Sequence, residues 1–530
     1  MKLLLIALTV LLLFTGALAQ HEHHSPSDAK PAALIPDLGD VHHPVSTSNR
    51  EAQQFFNQGF ALVYGFNHDE AVRSFKRAAE LDPKLAMAYW GVALALGPNI
   101  NMPVDAEHEQ AAFEALQKAR SLAPGASESE RAYIEALTKR YSNDPKADLR
   151  KLDVDYKNAM ADVAHRFPDD LDAATLYAES IMDLRPWQFW TSEGKPAEGT
   201  EEMVAVLESV LRRNPDHLGA NHYYIHAVEA SPHPEWALPS AQRLKVLAPA
   251  AGHLVHMPAH IDIRSGNYEA AARSNAYAAD ADRQYFKTTG EQGMYPMMYY
   301  SHNLHFLAVA NSMQGRYQDA KRAADQLDAH LGRYIQEGGP MIDAVLPMLD
   351  AFMPTPTLMM VRFRRWEDIL KAPEPDKKLV FTTTLWHFAR GMAYASTGED
   401  RQRGERGKTG SVGGKVLSCG QDIRLQQRKQ RLRYPRKPIE REDRDGEKRQ
   451  TLRRCVLEEG GCYSRFAELR RAGGLVCSSQ RITRRRFDIE RRVRRSRESV
   501  SRGARETPSQ RPRVVWLARK PESSRQEPRR

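Results

Sequence analysis

Cysteine is absent from the first 400 residues; the four in the chain, Cys419, Cys455, Cys462 and Cys477, all lie beyond them. That excludes a disulfide scaffold, a thiolate metal site and a cysteine nucleophile from residues 1–400. The four late cysteines have no metal-ligand spacing. Long apolar runs are also missing. Past residue 19 no stretch is apolar for the about 20 residues that a membrane span needs, so no stable membrane insertion is expected. There is no phosphate loop, dinucleotide fingerprint, nucleophile elbow or HExxH helix. No strand-like alternation competes with the helical period of the apolar residues.

Charge and histidine are unevenly placed. Residues 401–530 hold 39 Lys and Arg, 33 of them Arg, against 16 Asp and Glu; residues 1–400 hold 38 against 51. All 19 His and all 17 Met precede residue 401. The net charge of +10 therefore averages an acidic body and a basic tail. A nucleic-acid arm and a solvated disordered tail are two readings of 401–530. The expected one is an out-of-frame translation, disordered and without a nucleic-acid partner. Shifting the frame lets Ser509-Gln510-Arg511-Pro512 encode Arg-Asn-Gly-Arg, and Leu475-Val476-Cys477-Ser478 encode Trp-Tyr-Ala-Pro.

The N-terminus reads as a cleavable signal. Lys2 precedes an apolar stretch at 3–14, and Ala17-Leu18-Ala19 is a small-x-small site, with cleavage expected between Ala19 and Gln20. A periplasmic or secreted location follows as an expectation. No lipobox cysteine follows the signal. Residues 20–49 are expected to be a flexible segment, with His21, His23, His24, His42 and His43 offering loose metal affinity.

Internal repetition fills residues 50–400. Phe55, Gly59, Ala71, Phe75, Ala78 and Pro83 mark one helix pair, and Ala112, Leu116, Ala119 and Pro124 repeat its second half 41 residues on. A proline before a new helix returns at Pro168, Pro215 and Pro249. Units are expected near 52–85, 86–126, 150–215, 216–249, 250–297, 298–335 and 340–400. The strings GFNHDEAVRSFKRAAELDP and HLVHMPAHI resemble the tetratricopeptide repeat superfamily, and within it a group of exported bacterial proteins of unassigned activity. The resemblance implies an all-α fold: a right-handed α-solenoid whose first helices line a concave groove where a peptide or protein partner docks. Members of the group usually continue with further repeats, which implies an exposed apolar face where the pattern stops near Asp400.

One column of residues says more than scaffold. Counted from the proline before each first helix, Trp90, Thr175, His222 and His256 stand at +7, and Leu94, Glu179, His226 and His260 at +11. His253 is at +4. Matching Gly266 to Gly315 gives an offset of 49, which puts His302 under His253 and His305 under His256. The superfamily resemblance places these positions on the groove. Spacing of three or four puts side chains on one helix face.

The expected ligand groove is therefore His222, His226, His253, His256, His260, His302 and His305, with Glu179 nearby and Tyr223 flanking. His222, His226, His256 and His260 are the candidate ligands of a divalent transition metal, Zn or Cu. A hydrogen-bonded structural cluster accounts for the same histidines, and core packing for Tyr223. Pro258 is expected to kink its helix or free a carbonyl, and the loop at 99–101 reads equally as a cap on the groove edge or as turn chemistry. Two functions stay open: a scaffold binding a peptide or protein partner, and a metal-binding protein or metal-dependent hydrolase. Nothing in the sequence assigns a catalytic residue.

Overall fold

Helix starts follow from local chemistry. In the computed structural model, which describes residues 32–397, Asn49, Asn67, Asp105, Asp148 and Asp170 each accept a first-turn backbone N–H. Ser127 and Glu130 form a reciprocal capping box. Each such cap satisfies a donor with no partner inside its helix and contributes about 1 kcal/mol. The signal stretch, residues 20–31 and the 401–530 tail lie outside the described residues. Among the described residues the regular structure is all-helical, as expected; the extended pairings are two isolated bridges, Asn99–Met102 and Trp190–Pro196. No helix among them is long and apolar enough to cross a membrane.

Helices α1 (Arg50–Tyr64), α2 (His68–Leu81) and α3 (Ala86–Ala95) close around Phe75. A Cβ on Gly59 or Gly91 would lie 2.8 or 2.4 Å from its ring, so both positions must be bare for the helices to approach. Ala71 and Ala78 are buried on the same face as Phe75, while Lys76 and Glu80 are exposed. The chain continues as α4 (Ala106–Leu122), α5 (Glu128–Leu137), α6 (Leu149–Arg166), α7 (Leu171–Leu184), α8 (Thr200–Arg213), α9 (Leu218–Val228) and α10 (Leu238–Leu247). Then come α11 (Gly252–His256), α12 (Pro258–Arg264), α13 (Tyr268–Thr289), α14 (Ser301–Met313) and α15 (Tyr317–Glu337). Three short helices, α16 (Pro340–Leu349), α17 (Thr355–Arg362) and α18 (Trp366–Lys371), and the longer α19 (Val380–Thr397) end the described region. Helices pack mostly against their neighbours in sequence.

Three boundaries differ from expectation. Residues 127–149, left without a unit, supply α5, and the span 150–215 carries three helices. Residues 32–49, expected to be flexible, lie on the helices instead. Side chains on α1 and α5 take up their backbone groups: Ile35 N–H donates to Gln58, Val45 N–H to Gln53 and Ser46 N–H to Glu130. Leu38 and His43 are buried.

One long-range contact positions the site. Helix α9 packs against α1. Gly219 makes this possible, since a Cβ there would meet the Tyr64 ring at 2.3 Å. The end of α1 and the turn after it thereby lie on the histidine face of α9.

Candidate metal centre

Three chain segments bring six histidines together. Helix α9 carries His222 and His226. His253 and His256 lie on α11, and His260 lies on α12. Proline 258 has no N–H to offer the carbonyl four residues earlier, and the helix breaks between α11 and α12, as expected. His302 comes from α14. The histidines form a continuous chain of rings: His222–His253 5.0 Å, His226–His260 5.4 Å, His256–His260 4.7 Å and His256–His302 4.6 Å between centroids. Two sets of three each offer ligand atoms within 4.8 Å of one another: His222, His226 and His253, and His256, His260 and His302. An ion with nitrogen bonds near 2.0–2.1 Å would draw such atoms to roughly 3.4 Å, a small closing motion.

The ring tautomers follow from what each Nδ1 meets. His222 Nδ1 faces the Tyr64 carbonyl at 2.6 Å, which can only accept. His226 Nδ1 and His260 Nδ1 face the two oxygens of Glu229 at 3.0 and 2.7 Å. His256 Nδ1 faces Asn275 Oδ1 at 2.7 Å, and that amide is fixed because its Nδ2 donates to the Ala271 carbonyl. All four Nδ1 atoms therefore carry the proton and donate outward. All four Nε2 atoms hold a lone pair that points inward.

Those lone pairs have no donor. His222 Nε2, His226 Nε2 and both ring nitrogens of His253 are buried without a hydrogen-bond partner. His256 Nε2 and His260 Nε2 approach to 2.8 Å, so two lone pairs face each other. A proton on His260 would relieve that one contact and leave the other three rings unsatisfied. Buried unpaired polar atoms are costly and rare. A cation in each set would take the Nε2 lone pairs of His222, His226, His256 and His260 and the one lone pair of His253.

Burial sets the electrostatics. His222, His253, His256 and His302 are held well below the ordinary imidazole pKa, first by burial and then by neighbouring imidazoles. His226 is lowered by burial, against the pull of Glu229. Burial alone would raise Glu229, yet the adjoining His260 and His226 hold its carboxyl well below the usual range. Burial thus favours the neutral form, the one that binds metal, at His222, His226, His253, His256 and His302.

The placement corrects several expectations. The groove-facing histidines do not line an open groove: His222, His226, His253, His256 and His260 are 0–6% exposed. Phe66, in the turn after α1, stacks on His226 and His253 at 5.9 and 5.6 Å and meets His222 edge-on at 4.6 Å. In the 99–101 loop Asn99 Oδ1 accepts from the Asn101 and Met102 N–H groups, as turn chemistry, while Asn101 Nδ2 donates to the Tyr299 hydroxyl at 3.2 Å and the Tyr299 ring meets His253 edge-on.

His302 pairs with His256 and His260, not with the level of His253, and His305 turns away to Thr355 Oγ1 at 3.0 Å. A π-helical turn at Pro296–Tyr300 precedes α14 and rotates its faces relative to α11. Glu179 sits with Asp183 and Arg140, whose charges act on it, and outside both histidine sets. Tyr223 is core, wedged between Tyr64 and Phe66.

Sequence reasoning missed Glu229, Asn275 and Phe66. Glu229 was within reach, three residues after His226. A third group, His43 with Asp170 and Asp172, has ligand-like spacing but its atoms are spoken for. Asp172 accepts from His43, His217 and the Tyr64 hydroxyl, and Asp170 from the Tyr133 hydroxyl. It ties the 32–49 segment to α7. Compared with known proteins, the chain matches no family model and no curated protein sequence.

Proposed function

We propose that this chain is a transition-metal-binding protein whose ions are held by imidazoles, one set being the buried His222, His226 and His253 and the other the buried His256 and His260 with the part-exposed His302. The observation that carries this reading is the outward Nδ1 anchoring of four rings, which leaves the Nε2 atoms of His222 and His226 buried without a partner and sets those of His256 and His260 2.8 Å apart. Outward donation to a carboxylate, amide or carbonyl is how metal-ligating histidines are oriented and made more basic. An all-nitrogen set suits Zn, Cu, Ni or Fe. Both oxygens of Glu229 are engaged by His226 and His260, so no carboxylate faces the lone-pair side as a general base. The reading is therefore metal binding, with no catalytic residue assigned.

The surrounding body is read as an exported repeat protein of tetratricopeptide type. Gly59 and Gly91 around Phe75 support that, as does a left-handed residue before the second helix of several pairs. A docked peptide is disfavoured on the histidine face because Phe66 already covers it.

The test is elemental analysis of the full chain after a chelator wash and reloading with Zn(II) or copper. Bound metal in stoichiometric amount is expected. A thousandfold excess over Kd contributes about 4 kcal/mol, a Tm rise of roughly 5 °C for a body of this size. His256→Ala with His260→Ala should reduce that rise and keep the helicity. No bound metal and an unchanged Tm would sink the reading.

A further inference from the structure

We infer that the two histidine sets form a single two-ion centre built for copper in its monovalent state, joined through Glu229. The inference rests on the metal-binding reading above and adds the number of ions, their charge and their coupling. Each set is complete in itself, with three ligand atoms within 4.8 Å. The sets also share a wall: His226 lies 5.4 Å from His260, and His253 lies 5.7 Å from His256, centroid to centroid. Glu229 links them chemically. Its Oε1 takes the Nδ1 proton of His226 in the inner set, and its Oε2 takes that of His260 in the outer set. One carboxylate thus fixes a ligand tautomer in both sites without being a ligand itself.

Charge decides which ion fits. All the ligands are neutral rings, and Glu229 is the carboxylate that touches them. Arg264 stands 4.0 Å from Glu229 and offsets part of its charge. Two divalent ions would bring four positive charges into this buried space, and two monovalent ions bring two. The cost of burying an ion grows as the square of its charge. Copper is the metal among those that favour imidazole with an accessible monovalent state, and three nitrogens satisfy it without a fourth ligand.

The cover of the inner set matches this. Phe66 lies over the inner set, and Phe306 lies over the outer set, 4.8, 4.9 and 4.5 Å from His256, His260 and His302. Phe66 is buried and keeps water from the inner set, whereas Phe306 and His302 are part-exposed. Binding is balanced as written: each Nε2 lone pair forms one N–Cu bond, no ring proton leaves, and copper enters and stays monovalent.

The experiment is an anaerobic titration of the metal-free full chain with Cu(I) held by bicinchoninate, with Zn(II) titrated in parallel. Two equivalents of Cu(I) and at most one of Zn(II) are expected. His253→Ala and His302→Ala should each leave one Cu(I). Glu229→Gln should weaken both sites, by 10–100-fold as outer-shell changes do. Circular dichroism and the Tm of each metal-free variant confirm folding, and His302→Gln, at the partly exposed edge, replaces any variant that does not fold. One Cu(I) in the parent chain, abolished by either variant, overturns the paired centre. Two Zn(II) held as tightly as Cu(I) overturn the monovalent assignment. No metal of either kind overturns the metal-binding reading as well.

Discussion

Phe66 has φ 55°, at the point where Gly266 and Gly315 stand at 82° and 76° before the second helix of later pairs. A side chain there costs about 1–2 kcal/mol that glycine avoids. The ring earns its place by burial, at 3% exposed among His222, His226, His253 and Tyr223. Phe66→Gly should relieve the strain and lose the larger packing term, for a net loss of about 2–3 kcal/mol. Urea unfolding measures that. The same variant should release bound metal to a competing chelator about tenfold faster, since a barrier lowered by about 1.4 kcal/mol gives that factor. An unchanged release rate would show that Phe66 does not cover the site. No sequence pattern announced this role. The histidine partners of Phe66 at the site, His222, His226 and His253, lie more than 150 residues away in the chain.

Helices α9, α11 and α14 present ligands because of three local irregularities. Gly219 lets α9 touch Tyr64, Pro258 divides α11 from α12, and the π turn rotates α14. The proline was legible, since any proline inside a helical pattern removes a donor. The π turn was not, and for that reason the expected level of His302 and His305 was wrong. Gly219→Ala tests the first device. An added methyl 2.3 Å from a fully buried ring must push α9 off α1, at a cost of about 1–3 kcal/mol for overpacking. The Tyr64 carbonyl should then lose its hold on His222 Nδ1. Reduced metal affinity together with a lower urea midpoint is the expected result. Normal affinity in a stable variant would mean that the α1–α9 approach does not set the site.

At the scale of the whole molecule, residues 32–49 and α7 are joined through Asp172. Burial alone would raise this carboxyl, but hydrogen bonds and charge from His217 and His43 hold it well below its usual range. Burial would likewise lower His43, and Asp172 outweighs it to raise the imidazole above its ordinary value. Asp172 stabilises the fold above about pH 4 and loses that contribution as pH falls further. His43 contributes most below about pH 6.5 and loses its share as pH rises through its raised value. The stability gap between the parent chain and Asp172→Asn should therefore be widest between these limits, at about 3 kcal/mol, and close on the acid side. Urea unfolding from pH 3 to pH 8 reads it. A gap that does not change with pH would remove the ion pair as its cause. Asp172 also accepts from the Tyr64 hydroxyl, and the Tyr64 carbonyl holds His222 Nδ1, so the segment is linked to the histidine centre through Asp172 and Tyr64.

The sequence by itself determined the helices, most of their caps, the bare positions around Phe75 and the choice of histidine as the chain's unusual residue. These depend on spacing within a few turns, and the period of the helix fixes spacing. It could not determine that the histidine face is closed, that Glu229 rather than Glu179 serves the cluster, or that His305 is left out. Those depend on how far α9 and α14 rotate against their neighbours and on the return of α9 to α1. Contacts between distant segments decide both, and tertiary structure alone sets the direction in which each ring nitrogen points.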